Sequence, residues 1–142
     1  MRPGLILSAA LLLSFTTRTA LSADDTRQLV ELPSMMQAHM LSNMRDHLIS
    51  LNAILQHLDK GELDQAAEVA ESRLGMSSLE LHGASHMAGF MPEGMRDIGT
   101  RMHQAASRFA LKAQEGEPLP AYRMLSEITA ECVACHTAYR IR

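Results

Sequence analysis

The chain has 142 residues, with 13 Lys+Arg against 16 Asp+Glu, a formal net charge of −3 and only two cysteines. No basic patch recommends nucleic acid, and no Lys/Arg-rich amphipathic face recommends anionic lipid. A disulfide-dense scaffold is excluded, because one bridge across a three-residue gap closes almost no loop.

Met1-Arg2 is a short basic start, Leu5 to Phe15 is an uncharged apolar run of eleven residues, and small Ala20 and Ser22 precede acidic Asp24-Asp25. This pattern predicts a secretory signal peptide over residues 1–22, cleaved near Ser22/Ala23. The run falls short of the roughly 20 residues that a membrane-spanning helix needs. Residues 23–142 are expected to form one soluble, exported domain with a single core. Without Arg2 and Arg18, eleven basic residues face sixteen acidic ones, a formal charge near −5. A charged docking partner should therefore present a basic surface.

The first helix is expected to open near Pro33 and stop at Lys60-Gly61. Leu41, Met44, Leu48, Leu51, Leu55 and Leu58 recur at alternating steps of three and four, the pattern of a buried seam, with Met40, His47 and Ile54 as a flanking stripe. A shorter helix should run from Glu62 to about Leu74, with Gly75 as its stop. Met76 to Met91 reads as a connection holding one helical turn. Pro92 opens the next long helix, with a seam of Met95, Ile98, Met102, Ala105 and Phe109. The Glu115–Pro120 stretch breaks it. A last helix from Pro120 or Ala121 carries Ala121, Leu125, Ile128, Cys132, Cys135 and Tyr139 on its inner face. No stretch alternates with period two over a strand length. Four amphipathic helices with short connections predict an all-α, antiparallel four-helix bundle.

Both cysteines lie in CVACHTAYRIR, Cys132 to Arg142, and C-x-x-C-H is the attachment signal for c-type haem. Each thiol can add to one porphyrin vinyl group, and His136 can then ligate the iron from the proximal side. A thioredoxin-like motif would follow a strand at a helix N-terminus, whereas this one ends an all-helical chain. A zinc site could combine Cys132 and Cys135 with His82 and His86, but would leave His136 idle. A disulfide between the two would strain one helix turn. A second metal, copper above all, is suited by the thioether and imidazole set His82, His86, Met87 and Met91.

On its terminal motif, the Tyr139-Arg140 pair after it and Pro92-Glu93 at the head of the third long helix, the chain resembles the class II c-type cytochromes, the cytochrome c′ family. The resemblance implies one covalent haem c held near the C-terminal helix by Cys132 and Cys135, with His136 as iron ligand and Arg140 near the proximal face or a propionate. It also implies a periplasmic protein, and often a homodimer through the first two helices; with no nucleophile beside a paired base and no acid pair on a defined cleft, no enzymatic activity is expected. Leu41 falls where the family's distal residue stands. A leucine there implies five-coordinate iron open to a diatomic gas such as nitric oxide or carbon monoxide. Met40 beside it, as a sixth ligand, implies an electron carrier. Met36 and His39 lie within about one turn of the same place.

Overall fold

A computed structural model describes residues 25–142. The expected signal peptide falls in residues 1–22, outside the described residues. The described chain is mostly helical, and none of its helices is long and apolar enough to cross a membrane.

A two-residue strand, β1 (Gln28–Leu29), leads into α1 (Ser34–Asp59), which starts behind Pro33. Gly61 ends it: φ +73° is a backbone region that favours glycine, and Glu62 N–H bonds back to the His57 carbonyl at 2.8 Å. Helix α2 (Leu63–Arg73) follows, stopped by Leu74 and Gly75. The connection holds a 3-10 turn at Met76–Ser78 and a five-residue helix, α3 (Ala84–Ala88), entered through Gly83 at φ +62°. Helix α4 (Glu93–Gln114) begins behind Pro92 as expected. Helix α5 (Pro118–Ala138) starts two residues earlier than Pro120, because prolines in a first turn forfeit only amide groups that have no helical partner there.

The chain ends do what periodicity could not reveal. After α5, β2 (Tyr139–Arg140) pairs in parallel with β1, Gln28 opposite Tyr139 and Leu29 opposite Arg140. Strands two residues long leave no alternation to detect. Val30 N–H adds a bond to the Arg140 carbonyl at 2.8 Å, and its side chain is buried. The segment before α1 is thereby laced to the residues that follow the cysteine motif.

Helix α4 is the hub, with α2 and α5 packed on it and α1 packed on α2. Alanines at 66, 67 and 70 of α2 and 105, 106, 110 and 113 of α4 are buried, and these small side chains let the backbones approach. They surround Phe109, Ile54, Leu74 and Ile128 in the larger core. A smaller core gathers Val30, Met40, Met87 and Met95, with Met36, Met44 and Met91 against it. Cys132 packs on the first core and Cys135 on the second.

The inner face of α1 differs from the expected seam. Leu48 is 69% and Leu55 49% exposed, while Met40, His47, Ile54 and Leu58 are buried. The flanking stripe is the inner one. Adjacent apolar stripes lie about 100° apart on a helix, and which of them is covered depends on the neighbours. Because α1 leans on α2 and scarcely touches α5, the leucine stripe turns toward the gap between α1 and α5. There Leu48, Ile49 and Leu55 line an apolar groove with Tyr122.

Candidate functional site

Helix α5 presents Cys132 and Cys135 one turn apart, with His136 next to the second. Both thiols are free and half-buried, and burial raises both pKa values, so they are protonated at neutral pH.

The two cysteines and His136 form part of the wall of a cavity of about 510 Å³, inside the usual range of cofactor pockets. Helix α1 contributes Met40, Met44 and His47 to the same wall. Met87 and Met91 come from the connection, and Met95 and Met102 from α4. Flexible thioethers make a polarizable wall that adapts to a flat apolar guest.

The sequence-derived site residues divide accordingly. Cys132, Cys135, His136 and Met40 share the cavity wall, and Met40 is 8% exposed. Leu41 is half-buried and does not line the cavity: one residue further along α1, its side chain is turned about 100° away. Arg140 also lies off the wall. It pairs with Asp25 at 3.5 Å, and its buried Nε has no hydrogen-bond partner among the described residues. His82 and His86 do not act as a pair, since His82 is buried in the wall and His86 is exposed. His39 is engaged elsewhere, its Nε2 donating to the His82 carbonyl at 2.9 Å beside Asn43 Nδ2, also at 2.9 Å. Those two bonds from α1 hold the His82 backbone in place.

Histidines that the sequence did not group form the most unusual feature of this wall. His47, His82 and His103 bring their ring centroids within 4.7, 5.9 and 5.4 Å of one another. His103 Nδ1 donates to the Leu74 carbonyl at 2.7 Å, which leaves its Nε2 as the lone-pair nitrogen. Ser78 Oγ donates to the Gly75 carbonyl at 2.7 Å, and its lone pairs face His82 Nδ1 at 3.4 Å. The Nε2 atoms of His47 and His82 are buried without a hydrogen-bond partner among the described residues. Each such orphan costs about 1–3 kcal/mol. His47 stood out in the sequence as a polar residue on an apolar stripe. His103, behind Met102 of the α4 seam, gave no signal.

Burial pushes all three rings below the ordinary imidazole value, His47 to about 4, with the other two rings lowering it further against the opposing charge of Asp46. The folded protein therefore resists protonation that the unfolded chain accepts at about 6.5. The stability contributed by neutral His47 is complete above pH 6.5 and drains away as the pH falls toward 4. The gap between the two values corresponds to about 3 kcal/mol. Urea midpoints measured between pH 7 and pH 4 should fall accordingly, and a His47→Phe variant should show a shallower decline. Equal slopes in the two proteins would mean that His47 carries none of the acid sensitivity.

No family model matches this chain, nor does any curated protein or solved structure.

Proposed function

We propose that the chain is an exported, periplasmic monohaem c-type cytochrome of the class II kind, an antiparallel four-helix bundle that carries single electrons. One observation carries the proposal: Cys132, Cys135 and His136, in C-x-x-C-H order, stand together on the wall of a methionine-rich cavity. Haem c, when bound, supplies the one-electron iron couple. The chain's own residues provide attachment through the two thiols, a proximal imidazole at His136 and a low-dielectric wall that excludes water. The donor set and the apolar lining both fit such a group.

The sixth position favours electron transfer over gas binding. Met40 is buried on the wall, whereas Leu41, the residue that would guard an open distal face, lies off it. A His/Met pair raises the reduction potential. The orphaned Nε of Arg140 suits a carboxylate, although its place beyond the cavity makes Asp25 its partner here. The exposed Leu48, Ile49 and Leu55 support association with a second copy, and the acidic charge supports a redox partner with a basic surface.

The test is a visible spectrum of protein expressed with a c-type haem maturation system, oxidised and then dithionite-reduced, with and without carbon monoxide. Sharp α and β bands that ignore carbon monoxide are expected. A broad high-spin spectrum that shifts under carbon monoxide would replace the electron carrier with a gas-binding protein. The absence of a Soret band would end the haem assignment.

A further inference from the structure

Three buried imidazoles from three separate elements line one cavity: His47 from α1, His82 from the connection and His103 from α4. Packing alone gives no reason for such a cluster. The three residues are 91%, 95% and 92% buried, and the Nε2 atoms of His47 and His82 bond to nothing among the described residues. A core site filled for volume would favour apolar side chains, which leave no orphaned nitrogen.

We propose that His47, His82 and His103 form a three-imidazole site for a divalent first-row transition metal ion, with ligands distinct from those of the C-x-x-C-H motif on the same cavity wall. Three observations support it. Three imidazoles around one tetrahedral ion have ring centroids about 5 Å apart, given metal–nitrogen bonds near 2 Å. The observed spacings of 4.7, 5.4 and 5.9 Å bracket that value. The outer nitrogens are arranged as metal-ligating histidines require: His103 Nδ1 donates to a backbone carbonyl and His82 Nδ1 faces a serine hydroxyl, so both Nε2 atoms keep their lone pairs. Finally, the Asp46 carboxylate, itself paired with Arg73, reaches within 3.9 Å of His82 Nε2 and brings negative charge beside the ring.

Among the described residues, no group of three or more His, Cys, Asp or Glu side chains is placed to hold a metal ion as the rings stand. Binding must therefore turn the rings. His47 has no hydrogen bond to break at Nε2, and the bond available to His82 Nδ1 is long at 3.4 Å. Imidazole ligands suit zinc, copper and nickel alike, and zinc is the probe because it has no redox chemistry.

The inference does not depend on the haem assignment. The experiment titrates zinc into the full chain by calorimetry and records melting temperature with and without zinc, while haem content is measured separately. In any haem-free fraction the thiols are alkylated first, which removes Cys132 and Cys135 as ligands. One zinc per chain is expected, with a melting temperature that rises with zinc concentration. Affinity should fall more than about tenfold in each of His47→Phe, His82→Phe and His103→Phe, and should be unchanged in His86→Ala. The phenylalanine variants keep a ring in the core, and the zinc-dependent rise in melting temperature reads binding even where a variant is less stable. No stoichiometric zinc, or a zinc-dependent rise that survives in His47→Phe and His103→Phe, would overturn the site. A failed Soret test with intact zinc binding would sink the haem assignment alone.

Discussion

Replacing both cysteines, Cys132→Ala with Cys135→Ala, is expected to abolish covalent haem attachment altogether. In the parent protein, haem should stay with the polypeptide through acid–acetone extraction; in the double variant it should leave entirely. The thiols are free, protonated and placed on the cavity wall, so no other residue there can form thioether bonds in their stead. The single variants discriminate further. Cys132 rests on the larger core and Cys135 on the methionine cluster, so each single loss should leave one thioether and an altered pyridine haemochrome band. Extraction of haem from the parent protein itself would contradict the assignment of the motif.

Phe109→Ala should produce the largest loss of stability of any single core truncation. Phe109 is fully buried at the centre of the larger core, among alanines of α2 and α4 that are too small to collapse into the space it vacates. Phenylalanine-to-alanine truncations in such settings cost about 3–5 kcal/mol, against a total stability of about 5–15 kcal/mol for a domain. Urea denaturation at pH 7 should show the midpoint falling sharply with little change in slope. A loss below about 1 kcal/mol would mean that the surroundings close over the cavity, which the density of short side chains argues against.

The main helices were legible because their boundaries carry local chemistry. Pro33 and Pro92 open α1 and α4 where the missing amide proton costs nothing, Gly61 follows the end of α1 and Gly75 that of α2. The α4 seam was readable too, since Met95, Met102, Ala105 and Phe109 are all buried. Helix α1 was misread in rotation. It carries two adjacent apolar stripes, and Leu48 and Leu55 of the regular leucine one proved exposed while Met40, His47 and Ile54 of the flanking one are buried. The two-residue strands were invisible because they are too short to show a period.

The site shows the same division. The sequence by itself determined that Cys132, Cys135 and His136 share one helix end, because three residues on an α-helix make nearly one turn wherever that helix packs. Only the tertiary structure decided that Met40 faces the cavity while Leu41 does not, because the rotation of α1 is set by the alanine-rich α2 against which it packs. Only the tertiary structure brought His47, His82 and His103 together across as many as 56 positions of chain. Contacts between distant segments are chosen by the packing of whole helices, and no local pattern of residues encodes them.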